Sequence, residues 1–446
     1  MSKVKEKKEN VDDKTKQPVD TQKIREILDA NNGALIRTWL SICSGCGLCA
    51  ESCFFYLAND KDPRLSPAYK LKNTLGDMYR RKGNVDQAFL ERCYEILWLQ
   101  CTMCKRCSLY CPFGIDIAMM MGIARSICYS QDVTPKSLAE FTDNCRKTGN
   151  HMGLPVEELI DVYEWLVEET EDEFRGVTIP VDKPGVKYMY TINPREAVFY
   201  PQDIGNAAII FSVAEESWTI PSKGWDCTNL PMFAGDRALA GQVVKTVYEK
   251  ALELGAEKIL ITECGHAFRS LAFEGPYLAG YADGKPPVEI VHSVQLIYEY
   301  LRDGRIRIDP EKKLKEPVTY QDPCNVSRNG GLWEEARKII EYIAEDFRDM
   351  TPNREHNHCC GGGGGIMPMG SDYKPQRMAS GRIKAEQIRA TGAKIVIAPC
   401  HNCFDQVKDL NKEYGLDVKV VSFKEIICKL MIIPDKFKPE QQNVRG

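Results

Sequence analysis

Eight of the chain's 19 cysteines fall into two runs of one spacing. "CSGCGLCAESC" supplies Cys43, Cys46, Cys49 and Cys53, and "CTMCKRCSLYCP" supplies Cys101, Cys104, Cys107 and Cys111. Each run reads C-x2-C-x2-C-x3-C. Three thiolates so spaced hold three corners of an iron-sulfur cubane, while the fourth cysteine ligates the other cluster. The predicted ligand sets are therefore Cys43, Cys46, Cys49 and Cys111 for one [4Fe-4S] cluster, and Cys101, Cys104, Cys107 and Cys53 for the other. Two structural zinc sites are the competing reading; the three-residue gap before the last cysteine, present in both runs, favours iron and sulfide. Cys53 precedes Phe54 where Cys111 precedes Pro112, which leaves the shape of the first loop open.

A second group is spread more widely: Cys324 in "QDPCNVSR", Cys359 and Cys360 in "HCCGGGGGIMPMG", and Cys400 and Cys403 in "APCHNC". A flexible glycine linker is the bland reading of the run after Cys360, but such linkers separate domains and this one sits inside a repeated unit. Neither G-x-x-x-x-G-K-[ST] nor a strand leading into G-x-G-x-x-G is present, so a phosphate cradle is disfavoured. Cys93, Cys128, Cys145 and Cys428 stand alone and read as small buried hydrophobes.

The elements that must position these thiols change character along the chain. Between the first two runs, "SPAYKLKNTLGDMYRRKG" and "NVDQAFLERCYEILWLQC" carry apolar residues at helical spacing, with Asn84 as candidate N-cap, and predict two amphipathic helices. A helix, "LPVEELIDVYEWLVEETEDEF", and a proline-containing connector follow. Then strand-like runs ("EAVFY", "AAIIFSV", "KILITEC", "PVTYQD", "KIVIAPC", "VKVVSF") alternate with helical ones, which is βαβ logic and a mostly parallel sheet. "LGAEKILITECGHAF" at 254–268 matches "TGAKIVIAPCHNCF" at 391–404, the mark of a duplication. Cys324 and Cys400 lie just past strand ends, where open α/β sheets bind ligands. The expected organisation is a disordered charged tail (1–22), a helical two-cluster domain (23–150), a helical linker (151–190), a degenerate first repeat (191–290) and a second repeat (291–446). The fold class is α+β multidomain, a helical ferredoxin domain followed by a duplicated α/β domain.

The helical insert makes the first third resemble the helical ferredoxin domain of succinate dehydrogenase iron-sulfur subunits and heterodisulfide reductase. The five later cysteines resemble the cysteine-rich CCG domain of heterodisulfide reductase, so the resemblance covers nearly the whole chain. It implies a noncubane [4Fe-4S] cluster on Cys324, Cys359, Cys360, Cys400 and Cys403, with Gly361, Gly362 and Gly363 letting the backbone wrap close and donate N–H groups to sulfur. In the first repeat only Cys227 and Cys264 remain, with Ala267 where the last cysteine would stand; they are either core residues or part of a sulfur-handling site. Cleaving a disulfide takes two electrons and protons, and His266 and His401, each close after a cysteine, are candidate proton donors. His358 is a candidate supporting donor, and Arg328 a candidate for neutralising cluster or substrate charge.

"CTMCKRCSLYCPFGID", "NCRKTGNHMG" and "ECGHAFR" are similar to iron-sulfur subunits of membrane redox complexes in sulfur-metabolising prokaryotes, of the DsrK type and the TmcB type. This implies a cytochrome b-type membrane partner, other redox-complex subunits, and a DsrC-type carrier whose disulfide or trisulfide is reduced. An iron-sulfur subunit of a lactate or glycolate oxidase complex, or a pure electron conduit, are the alternatives. Net charge of -4 and a pI near 6.0 give no sign of nucleic-acid binding. No apolar run approaches a membrane span, and the charged start lacks an export signal's apolar stretch. The expected location is cytoplasmic, peripheral on the inner face of the membrane.

Overall fold

The computed structural model describes residues 18–31 and 33–439. Most of the tail expected over 1–22 lies outside them, and a helix already starts at Thr21. The first third is helical. Its central post, Ile117–Tyr129, is buried around nearly its whole circumference, as a helix apolar on all sides must be. The first predicted insert helix is two, Pro67–Lys72 and Leu75–Arg80, broken at Asn73 and Thr74. The second, Gln87–Tyr94, is capped by Asp86, not by the expected Asn84: its carboxylate accepts from the Phe89 amide at 2.8 Å. That helix widens into a π turn, Glu95–Leu99, which buries Trp98 and hands the chain to Cys101.

The two cysteine loops share one backbone shape. Gly45 and Met103 occupy the same motif position with φ +72° and +55°, and Gly47 and Lys105 the next with +85° and +63°. Left-handed Met and Lys are uncommon, and the second loop is held there from outside. The Met103 carbonyl accepts from Arg269 at 2.7 Å, while Lys105 pairs with Glu274 and Asp116 at 3.2 and 3.3 Å.

The rest is two parallel sheets. β1 (Tyr188–Thr191), β2 (Trp218–Thr219), β3 (Lys258–Ile261) and β4 (Glu289–His292) take the order β2-β1-β3-β4. β5 (Val318–Tyr320), β6 (Ile395–Ile397) and β7 (Lys419–Val421) take the order β5-β6-β7. All strand pairs within the two sheets are parallel. β1, β3 and β4 correspond to β5, β6 and β7, so the repeat seen in sequence is a repeat of structure. The domain boundaries drawn at 190/191 and 290/291 fall inside β1 and β4.

"EAVFY" and "AAIIFSV", expected as strands, are the helices Pro194–Phe199 and Pro201–Val213. Asn193 and Glu196 form a reciprocal capping box, and each helix begins on a proline. The second is buried at Ile204, Ala207, Ala208, Ile210, Phe211 and Val213, so its continuous apolarity is that of an enclosed helix, which periodicity does not separate from an enclosed strand. One apolar core joins both sheets, with Tyr190 and Leu260 of the first and Tyr320 and Ile397 of the second in the same cluster. The ferredoxin domain packs on both repeats, its core taking in Phe233 from the first and Ile366 and Met369 from the second.

Candidate functional site

Cys43, Cys46, Cys49 and Cys111 line one cavity, and Cys53, Cys101, Cys104 and Cys107 another. The fourth cysteine of each run has crossed to the other group. Cys53 caps the short helix Phe54–Ala58; Phe54, standing where a proline follows in the second run, is 3% exposed and puts its ring against Gly361. The departure from proline thus anchors the first loop to the second repeat.

The five later cysteines also converge. Hydrogen bonds from Cys104 and Cys324 hold Cys359 below the ordinary thiol pKa, and contacts with Cys359 and Cys403 do the same for Cys360. The sulfurs of Cys360 and Cys403 are 3.3 Å apart. Cys400, bonded to Cys403, is brought down to about 6. Cys104 belongs to the ferredoxin set, so an unbroken series of sulfur contacts runs from that domain through Cys359 and Cys360 to Cys403 and Cys400.

The glycine run makes this approach possible. Gly361 and Gly362 amides point at the sulfurs of Cys359 and Cys360, both at 3.4 Å. A Cβ on Gly362 would lie 2.7 Å from the Asn402 carbonyl oxygen, and one on Gly364, where φ is +68°, would lie 2.4 Å from that of Thr102. The loop is wedged between the first turn of the helix His401–Tyr414 and the Cys101–Cys104 loop, and only bare backbone fits.

Cations surround these thiols without carboxylate partners. Lys70, Arg106, Arg125 and Lys384 are at most 5% exposed, and among the described residues none of them forms a salt bridge. Lys70 donates to the Gln100 carbonyl, Arg106 to that of His356, and Arg125 to those of Leu97, Cys101, Phe233 and Gly364. Lys384 donates to Asn357 Oδ1 at 2.7 Å, and burial pulls its pKa to about 8. Arg328, half-buried, spans the carbonyls of Cys104, Glu355 and Asn357; it braces the two cysteine segments against each other and is not a solvated surface residue. Buried charge is costly unless compensated. A collar of cations bonded only to neutral groups is the complement of anionic thiolate-ligated clusters, so the residues fit the groups the motifs imply.

The histidines divide. His266 Nε2 accepts from the Gly364 amide at 3.0 Å, and Nδ1 is 3.2 Å from the Asn402 amide group. Burial and nearby Arg269 push its pKa to about 3. It is a neutral clamp on the glycine loop, with both ring nitrogens engaged, which does not suit the proton donor expected from sequence. His401 Nε2 lies 3.0 Å from Asp203 and 3.6 Å from Glu196, which hold it charged despite burial. Lys424 Nζ, 2.6 Å from Glu196, already supplies that carboxylate pair with a cation. His358 is buried and pushed to about 3 by desolvation. Cys264 accepts from Asn193 at 3.8 Å, and Cys227 donates to the Ile192 carbonyl at 3.2 Å, both fully enclosed.

Four residues past the end of β1 stands Arg195, at the position of Cys324 past β5: "NPR" against "DPC". Arg195 pairs with Asp405 and opens onto a cavity of about 450 Å³, whose walls include His151, Asn193, Thr228, His266, Met367 and Asn402. It lies where the degenerate repeat lacks its cysteines, against the segments that carry the intact set. Sequence reasoning named neither Arg195 nor His151; the Asn-Pro and Asp-Pro match was the available signal for the first.

The fold and site together define an iron-sulfur redox protein, two ferredoxin-type thiol sets feeding a cysteine-rich α/β site. The sequence model of a 4Fe-4S dicluster domain matches residues 39–115, and that of a cysteine-rich (CCG) domain matches residues 318–408. The chain is 24% identical over 433 residues to an Hdr-like menaquinol oxidoreductase iron-sulfur subunit of Archaeoglobus profundus, covering 84% of this chain and 76% of that one. It is 24% identical over 413 residues to the HdrD-type component of the dihydromethanophenazine:CoB–CoM heterodisulfide reductase of Methanosarcina mazei, covering 89% and 95%. An EtfAB:quinone oxidoreductase of Syntrophomonas wolfei is 23% identical over 353 residues, 47% of its length. The chain is an HdrD-like heterodisulfide reductase family protein, with the CCG domain and iron-sulfur motifs of that family. No described helix is long and apolar enough to cross a membrane.

Proposed function

We propose that this chain is the component at which a membrane-associated redox complex reduces a disulfide or trisulfide. The observation that carries the reading is the series of sulfur contacts from Cys104 to Cys403, ending beside a cavity of about 450 Å³. A pure conduit has no need of that cavity. Cys43, Cys46, Cys49 and Cys111, and Cys53, Cys101, Cys104 and Cys107, would hold two cubanes, and Cys324, Cys359, Cys360, Cys400 and Cys403 a noncubane [4Fe-4S] cluster. When bound, these groups supply single electrons and a site where a substrate sulfur can be engaged. The chain's own residues do the rest: the glycine loop excludes water from the sulfurs, the buried cations offset negative charge, and Arg195 and Asn193 present polar groups to whatever enters.

By its likeness to the Archaeoglobus protein, the electrons come from a menaquinol, through a cytochrome b-type membrane partner and the other subunits. The substrate is the disulfide or trisulfide of a DsrC-type carrier protein, and the chain sits on the inner face of the membrane. The test is turnover of a disulfide-oxidised DsrC-type carrier with a reduced viologen dye. The reading requires activity in the native chain and its loss in a Cys359→Ser, Cys360→Ser double variant; an active double variant overturns it.

A further inference from the structure

The cavity beside the cysteine-rich site contains an ionisable pair that the proposed chemistry has not yet used. His151 lies in "NCRKTGNHMG", a stretch fixed by its own side chains: Asn144 donates to the His151 carbonyl at 3.1 Å, and Asn150 bonds both the amide and the carbonyl of Leu154. The imidazole Nδ1 is 3.0 Å from Asp226 Oδ2, and the two residues are 2% and 1% exposed. Asp226 is itself fixed by the amides of His151 and Thr228, at 3.0 and 2.7 Å. Phe141 meets the ring edge to face. Among the described residues nothing bonds Nε2, and His151 forms part of the cavity wall.

A carboxylate behind one ring nitrogen and an open space before the other is the arrangement that orients an imidazole and stabilises its protonated form. Reductive cleavage of a sulfur–sulfur bond needs such a group, because an alkyl thiolate, with a pKa near 8.5, is a poor leaving group unless protonated. The other histidines near the thiols are committed, His266 to the glycine loop and Asn402, His401 to Asp203 and Glu196.

We propose that the His151–Asp226 pair delivers the proton to the leaving sulfur of a disulfide bound in this cavity. The step is R–S–S–R′ plus two electrons and two protons giving R–SH and R′–SH. The electrons come from the quinol-class donor, or a reduced dye, by way of the cysteine-held clusters. His151 gives its Nε2 proton to one thiolate; water entering the cavity protonates the other and recharges the imidazole. The inference rests on the reductase reading above.

The experiment compares two disulfides with the anaerobically purified full chain and reduced methyl viologen, after subtraction of the rate without protein. Bis(2-hydroxyethyl) disulfide releases an alkyl thiolate that needs a proton, whereas 5,5′-dithiobis(2-nitrobenzoate) releases an aromatic thiolate that leaves without one. The expected result is that His151→Gln and Asp226→Asn each slow the alkyl disulfide by roughly 10²-fold or more, the scale of general acid catalysis, and the aromatic one by less than about threefold. Equal losses on both substrates, as damage to folding or cluster loading would cause, overturn the proposal, as does no loss on either. A native chain that reduces the aromatic disulfide alone overturns the proton-donor assignment. A native chain that reduces neither overturns the reductase reading itself, and the assignment with it.

Discussion

Gly363→Ala and Gly364→Ala differ by one position and should differ sharply in effect. At Gly364 the added Cβ falls 2.4 Å from the Thr102 oxygen and 2.6 Å from its carbonyl carbon, in a residue whose φ is +68°. A left-handed alanine costs roughly 1–2 kcal/mol, and forcing extra bulk into a closed interface roughly 1–3 more. Relief by moving the loop would pull the Gly364 amide off His266 and its carbonyl off Arg125. The expected loss is therefore roughly 2–5 kcal/mol. At Gly363 the nearest atom is His266 Nε2 at 3.6 Å, an ordinary contact, and the expected loss is under about 0.5 kcal/mol. Anaerobic melts followed by visible iron-sulfur absorbance read the difference. At about 2–4 °C per kcal/mol for a unit of this kind, Gly364→Ala should melt roughly 5–15 °C lower, and Gly363→Ala within about 2 °C of the native chain. Indistinguishable melts, or a worse Gly363→Ala, would refute the account of the loop as a wedge between the Cys101–Cys104 segment and the second repeat.

Arg125→Met strips the carbonyls of Leu97, Cys101, Phe233 and Gly364 of their shared donor; a loss of several kcal/mol in denaturant titration is expected, and full stability would contradict the bridging role. Lys384→Met should lower the midpoint potential of the cysteine-rich site by on the order of 50–100 mV, since a nearby unit charge is worth about 1–2 kcal/mol at an effective dielectric of about 20; an unchanged potential in redox titration counts against the cation collar. Burial lifts Glu263 from 4.5 to about 7 while its carboxylate holds the Phe423 and Lys424 amides. The native state therefore keeps a proton that the unfolded chain releases, and stability falls by roughly 3 kcal/mol as pH rises from about 4.5 to 7. Glu263→Gln should flatten that slope, read from denaturation midpoints between pH 5 and 7.

The cysteine motifs were legible because cluster ligation is dictated by local spacing, and the crossing of Cys53 and Cys111 follows from the same rule. The duplication was legible because β3 and β6 enter the site with nearly the same residues. What the sequence hid is tertiary in origin. β1, β2 and β4 are short strands whose partners lie far along the chain, and the helices Pro194–Phe199 and Pro201–Val213 resemble strands because they are enclosed. Arg269, Glu274 and Arg125 carry no signal as braces until the ferredoxin loop is laid against them. The proton-donor expectation for His266 failed because adjacency to a cysteine says nothing about what the ring nitrogens bond.

The central claim, that three clusters lie in series on one chain, is tested most directly by iron, acid-labile sulfide and zinc counts per chain in anaerobically purified protein. The account predicts about twelve irons, about four for each set of thiols, with matching sulfide and no zinc. About eight irons, with Cys324, Cys359, Cys360, Cys400 and Cys403 free or holding zinc, would contradict it.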